Sequence, residues 1–287
     1  MSSRRLVMGD LKVAIMLGSL RLEPYEGMKK AAELGVSGLH ISVDGTMFAP
    51  ENLDAAARKE LVRHLGTLGL EISAISCWGG QVDLTHADQH ETNLPWAYRV
   101  LDLAADLGCG IWQGHIGIIP GDFESEKGKA ALEAAHRIAE HGEKVGACLA
   151  IETGPEPPVV LRSLIETVGS PAIRINYDPA NLVLWPPHLF QREGRPYDKA
   201  EAMARYDPHE GVKVLGPYVV HTHAKDALVH EDGRPQEVPL GDGWIDWPRY
   251  VGLLKEQGFE GYFAIEREVG EDPVSDITKA VRFLQSL

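Results

Sequence analysis

Along most of this chain, segments with apolar residues at helical spacing run into a glycine, and a β-type apolar run follows at once. The junctions are AAELGVSGLHIS (31–42), LGTLGLEISAIS (65–76), AADLGCGIWQGH (104–115) and HGEKVGACLAIE (141–152), then ETVGSPAIRINYD (166–178), KVLGPYVVHTH (213–223) and LKEQGFEGYFAIE (254–266). A glycine just past a helix end takes the left-handed conformation at little cost, so Gly35, Gly69, Gly108, Gly146, Gly169, Gly216 and Gly258 read as helix C-caps feeding strands. An opening strand over Lys12–Leu17 raises the strand count to eight, and a last helix over Val274–Leu287 completes eight βα units.

Strands alternating with amphipathic helices imply parallel strands joined by right-handed crossovers. Eight units of about 35 residues predict an α/β protein, a single (β/α)8 barrel over residues 1–287. A doubly wound open sheet would carry a glycine-rich phosphate loop after its first strand, and IMLGSLRLEP has no G-x-G-x-x-G.

In such a barrel the site is built where the strands end. Strand two ends at His40, strand three at Cys77–Trp78, strand four at His115 and strand five at Glu152. Strand six ends at Asp178, strand seven at His221 and His223, and strand eight at Glu266, with Glu268 two further on. The opposite ends carry mainly glycine and apolar residues, so the polarity is one-sided. Glu152, Asp178, His223 and Glu266 would converge as three carboxylates and an imidazole, a set that repels itself without a cation. The oxygen-rich donors suit Mn²⁺, with Mg²⁺, Co²⁺ or Zn²⁺ as alternatives. His221 is in phase with His223 but deeper, and reads as a second-layer residue bonding a carboxylate or the substrate. His40 and His115, taken singly, also fit structural histidines. Trp78 and Trp185 follow strands three and six and are candidates for an apolar wall against a sugar ring.

Composition narrows the partners. With 42 acidic and 28 basic residues the formal net charge is −14, which opposes binding to nucleic acid or an anionic membrane. The opening MSSRRLVMGDLKVAIMLGSL makes a poor secretory signal, and no apolar run approaches the roughly 18 residues of a membrane span. Cys77, Cys109 and Cys148 form no C-x-x-C, which disfavours a disulfide framework or zinc ribbon and fits a reducing cytoplasm.

The ordered segments IETGPE, INYDPANL, HTHAKD, GDGWIDW (241–247) and GYFAIERE resemble the xylose isomerase-like (β/α)8 sugar isomerases and epimerases. That group includes ketose 3-epimerases, hydroxypyruvate isomerases and inosose dehydratases. The resemblance implies a divalent metal held by Glu152, Asp178, His223 and Glu266. Asn181 stands where the epimerases carry a histidine, and is a candidate substrate contact. Ala224, Lys225 and Asp226 replace their usual Gly-Glu after the strand-seven histidine, and the resulting His-x-Lys-Asp pattern is closer to the dehydratase-like and generic isomerase branches.

The chemistry implied is removal of a proton beside the carbonyl of a keto-sugar or related polyol through a metal-stabilised enediolate, with Glu152 and Glu266 as the acid–base pair. Lys225 and His115 are candidates for holding a substrate oxygen; an exposed Lys225 paired with Asp226 is the competing reading. An inosose-type dehydratase is the nearest alternative. An abasic-site-type endonuclease and a non-catalytic sugar-binding barrel are more distant. Residues 185–211 read as a Pro-Pro loop followed by a helix over Asp198–Arg205, serving as a lid or a contact in a homo-oligomer. GDGWIDW reads as a turn in which Asp246 caps the next helix, with Pro248 in its first turn.

Overall fold

The structure is a computed structural model that describes residues 11–77 and 83–287. Seven parallel strands come first: β1 (Val13–Met16), β2 (Gly38–Ser42), β3 (Glu71–Ser76), β4 (Ile111–Gly114), β5 (Cys148–Glu152), β6 (Ile173–Tyr177) and β7 (Val219–Ala224). An antiparallel hairpin, β8 (Asp226–Val229) and β9 (Pro235–Val238), follows directly, and β10 (Phe263–Ile265) is the last barrel strand. β1 pairs with both β2 and β10, so the sheet closes in the order β1-β10-β7-β6-β5-β4-β3-β2. This is the (β/α)8 barrel that the glycine rhythm predicts.

The helix Glu126–Val145 illustrates how the units are specified. Ser125 accepts a hydrogen bond from the Gly128 N–H at its start. Ala130, Ala131, Ala134, Ala135, Ile138 and Ala139 then recur at helical spacing and are all buried. Gly146 ends the helix with φ 77° and returns its N–H to the Gly142 carbonyl. Gly35, Gly69, Gly108, Gly169 and Gly258 also have positive φ. Gly216 departs from the expectation. Its φ is −48°, and it leads into a 3-10 turn over Gly216–Tyr218. There the missing side chain makes room for Gln257, which packs where a Cβ would lie.

The segment after β6 is also different from the expected loop. Residues Asn181–Arg192 are helical, with Pro186 and Pro187 inside, followed by the helices Lys199–Tyr206 and Pro208–Leu215. The two prolines withhold N–H groups that would have met the Leu182 and Val183 carbonyls, which normally disfavours a helix. Here Asp178 Oδ1 accepts the N–H groups of Ala180 and Asn181, and both prolines are buried. Asp246 caps the helix Trp247–Glu256 as expected, with a proline in its first turn.

Asp226 does not pair with Lys225. Its carboxylate lies behind the barrel wall and accepts from the N–H groups of Gly241 and Ile245 and from Trp247 Nε1, which ties the hairpin to the GDGWIDW turn. Among the described residues no helix is long and apolar enough to cross a membrane.

A Cβ added to Gly146 would meet nothing within 4 Å. Its replacement therefore isolates the cost of the left-handed backbone, and Gly146→Ala should lower the unfolding free energy by about 1–2 kcal/mol in a urea titration. No change would mean that this glycine is not what ends the helix.

Candidate metal centre

Strand alternation turns Gln113, Glu152, Asn176, His221 and His223 toward the barrel axis, and the carboxyl ends of β5, β6, β7 and β10 bring four donors together. One ligand atom from each of Glu152, Asp178, His223 and Glu266 lies within 4.8 Å of the other three, and all four residues are buried. His223 Nδ1 is the hub. It stands 2.9 Å from Glu152 Oε1, 3.0 Å from Glu266 Oε2 and 3.8 Å from Asp178 Oδ2. Yet its contacts have no hydrogen-bond geometry, and Asp178 Oδ2 also lacks a hydrogen-bond partner.

Two unsatisfied buried polar atoms facing one another are costly unless a further group engages both. Three carboxylate oxygens and one imidazole nitrogen at this spacing match what a hard or borderline divalent cation takes. The donor set fits a metal.

Each of these carboxylates is held from behind. Asp178 Oδ1 caps the helix Asn181–Arg192, which leaves Oδ2 for the site. Glu152 Oε2 accepts from Gln113 Nε2 at 2.5 Å and lies 3.2 Å from His115 Nε2; Oε1 accepts from Asn181 Nδ2 at 3.2 Å. Asn181 also donates to the Thr153 carbonyl, so it fastens the helix to the end of β5. Glu266 accepts from Lys225 Nζ at 3.2 Å through Oε2, and its Oε1 has no hydrogen bond among the described residues.

Lys225 is only 3% exposed, which overturns the reading of an exposed cation. Its ammonium reaches Glu268 at 2.7 Å and Glu266 at 3.2 Å, with Asp178 3.8 Å away. Burial works against the charge, but Glu266 and Asp178 outweigh it and hold the Lys225 pKa well above its ordinary value. Burial would likewise raise the Glu266 pKa, and Lys225 and His223 overcome it and hold the carboxyl below its usual range. For His223 burial opposes protonation, yet Glu266 and Glu152 raise its pKa well above 6.5.

His221 lies beneath the centre, but it bonds no carboxylate. Its Nδ1 faces Asn176 Oδ1 at 2.7 Å and its Nε2 faces Ser73 Oγ at 3.1 Å. His115 stands at the mouth, edge-on to Trp185. Gly154 lets them approach, since a Cβ there would lie 2.9 Å from Trp185 Nε1 and 3.0 Å from His115 Cε1. Trp78 lies outside the described residues. Sequence reasoning passed over Gln113, Ser73 and Asn176, and noted Glu268 beyond the end of strand eight without giving it a role. Gln113 lies two residues before His115, so the two-residue strand period was the signal that could have found it.

A model of the family described as xylose isomerase-like TIM barrel matches residues 28–287. The L-ribulose-5-phosphate 3-epimerase UlaE of Escherichia coli is 22% identical over 98% of this chain and 94% of that protein. Among solved structures, the xylose isomerase domain protein of Planctomyces limnophilus superposes with a TM-score of 0.78 at 21% identity, covering 96% of each chain. A xylose isomerase-like TIM barrel protein of Mycobacterium smegmatis, in complex with magnesium, gives a TM-score of 0.71 at 20% identity, again over 96% of each chain.

The raised pKa of His223 sets the sign of a pH dependence. A proton held near neutral pH must leave before Nδ1 can ligate, so Mn²⁺ binding should release about one proton and tighten as pH rises toward that pKa. Titration calorimetry in two buffers of different ionisation enthalpy measures the release. Binding that releases no proton would mean that His223 either is neutral before the metal arrives or lies outside the ligand set.

Proposed function

The chain belongs to the xylose isomerase-like TIM-barrel family, and on that premise we propose that it is a divalent-metal-dependent sugar isomerase or epimerase. The substrate is a keto-sugar or related polyol, and the chemistry begins with removal of a proton from the carbon beside its carbonyl. The observation that carries the reading is the convergence of three carboxylates on His223 Nδ1, with Asp178 Oδ2 and Nδ1 itself lacking hydrogen bonds. The epimerase activity in the name of the full-length relative, and the magnesium in one similarly folded protein, support it.

Glu152, Asp178, His223 and Glu266 would hold the cation, with Mn²⁺ or Mg²⁺ suiting the oxygen-rich set. When bound, it supplies Lewis acidity that polarises the sugar carbonyl and stabilises the charge developing beside it, an effect of several kcal/mol.

The two glutamates are not equivalent. Glu152 has both oxygens engaged by Gln113, His115, Asn181 and His223. Glu266 keeps Oε1 free of hydrogen bonds among the described residues, so it is the better placed to accept the substrate proton. Glu152 returns a proton from the other end of the four-strand arc, and the part-exposed His115 against its Oε2 links it to solvent. Return to the same carbon from the opposite face is epimerisation; return to the neighbouring carbon is isomerisation. Lys225 Nζ, beside Glu266, is placed to steady a substrate oxygen, and Asn181 and His221 act by holding the wall and floor of the site. Trp185 forms an apolar wall at the mouth, on the helix that follows Asp178. The helices over 181–215 serve as its cover, and a homo-oligomer contact is the other use of that segment. A net charge of −14 makes nucleic acid and anionic membrane poor partners, and the separated free cysteines fit a reducing cytoplasm.

Incubation of the Mg²⁺-loaded protein in D₂O with ketoses, keto-acids and inososes, followed by NMR, tests this. Metal-dependent deuterium uptake at one carbon is expected, falling about 10²–10⁴-fold in Glu266→Gln. Loss of water from the labelled product would assign a dehydratase. Metal binding without exchange on any substrate would end the enolisation reading and turn attention to DNA cleavage or plain sugar binding.

A further inference from the structure

His40 belongs to β2, three strands away from β7 around the barrel, yet its side chain crosses the interior to His223. Its Nδ1 lies 3.3 Å from His223 Nε2, with the ring centroids 5.2 Å apart and the planes tilted by 40°. Both residues are fully buried. His40 Nε2 has no hydrogen-bond partner, so the contact with His223 is the one hydrogen bond of this ring among the described residues. His221 stacks edge-on against His40, with centroids 5.0 Å apart, and fixes the ring from below.

We infer that His40 is the positioning residue that selects which nitrogen of His223 faces the metal. The inference rests on the metal reading of the site. A histidine that ligates through Nδ1 carries its proton on Nε2, and a metal-bound histidine characteristically donates that second N–H to an acceptor that sets tautomer and ring orientation. The usual acceptors are a carboxylate, a backbone carbonyl or water. Here the nearest acceptor is the Nδ1 lone pair of another imidazole, and His40 keeps its own proton on Nε2. A carboxylate at this position would add a fourth negative charge to a buried cluster that already holds three. The neutral imidazole accepts the same hydrogen bond without that charge.

The acceptor position gives the test. The Oδ1 of an asparagine lies close to where His40 has Nδ1, whereas the carboxamide of a glutamine extends to the position of Nε2. His40→Asn should keep Mn²⁺ affinity within about threefold of wild type, and His40→Gln should lose about 10–100-fold, measured by electron paramagnetic resonance of free Mn²⁺. Equal loss in both variants, or wild-type affinity in both, would overturn the positioning role.

A second measurement needs no variant. In ¹⁵N-histidine-labelled protein loaded with Mg²⁺, a through-hydrogen-bond coupling should join His223 Nε2 to His40 Nδ1, with the proton on His223. A proton on His40 Nδ1, or no coupling, would overturn the inference even if the variants fail to fold. Wild-type protein that binds neither Mn²⁺ nor Mg²⁺ would instead overturn the metal reading, and the role of His40 with it.

Discussion

Three carboxylates buried against one another are the constraint around which this barrel is arranged. Glu152, Asp178 and Glu266 meet at His223 Nδ1 with almost no exposed surface, where water cannot screen them. Such a cluster holds only if positive charge or hydrogen-bond donors reach it from every side. Lys225 supplies one charge, Gln113 and Asn181 supply donors, and the N-terminus of the helix Asn181–Arg192 takes the far oxygen of Asp178. A divalent cation at the centre would turn the remaining mutual repulsion into ligation.

The same constraint accounts for an unusual interior. Barrels of this kind are mostly filled by branched apolar side chains. Beneath this site stand instead His40, Ser73, Asn176 and His221, all buried; His221 contacts the Asn176 and Ser73 side chains at hydrogen-bond distance, and His40 packs edge-on against it. Apolar packing is moved to the outside of the wall, where Tyr177, Tyr250 and Trp247 pack ring against ring and Thr222 bonds the Tyr250 hydroxyl. Stability and chemistry are thus divided between the two faces of the same strands. Thr222 faces the shell, while its neighbours His221 and His223 face the axis.

How much of this was legible in the sequence follows from the range of each interaction. The eight strands were readable because helix stops are local: Gly146 and Gly169 mark theirs by backbone conformation alone. The convergence of the four donors was readable because Glu152, Asp178 and Glu266 lie at or just beyond the last residue of their strands and His223 one residue before the end of its own. Lys225 was only half legible. It shares the two-residue phase of His221 and His223, which points it inward, but the adjacent Asp226 offered a local partner that the hairpin takes away. The helix through Pro186 and Pro187 was hidden because its support comes from Asp178, outside the helix, against the preference of the prolines. The bond between His40 and His223 joins residues 183 positions apart across the barrel, and strand register, not spacing, decides it.

The most direct test of the central claim is a crystal structure of Mn²⁺-soaked protein with anomalous scattering recorded at the manganese edge. One strong peak is expected within bonding distance of Glu152, Asp178, His223 Nδ1 and Glu266, with the Lys225 ammonium outside the ligand shell. Manganese at another location, or none at full soaking concentration, would contradict the account and leave the buried carboxylates balanced by Lys225 and a protonated His223 alone.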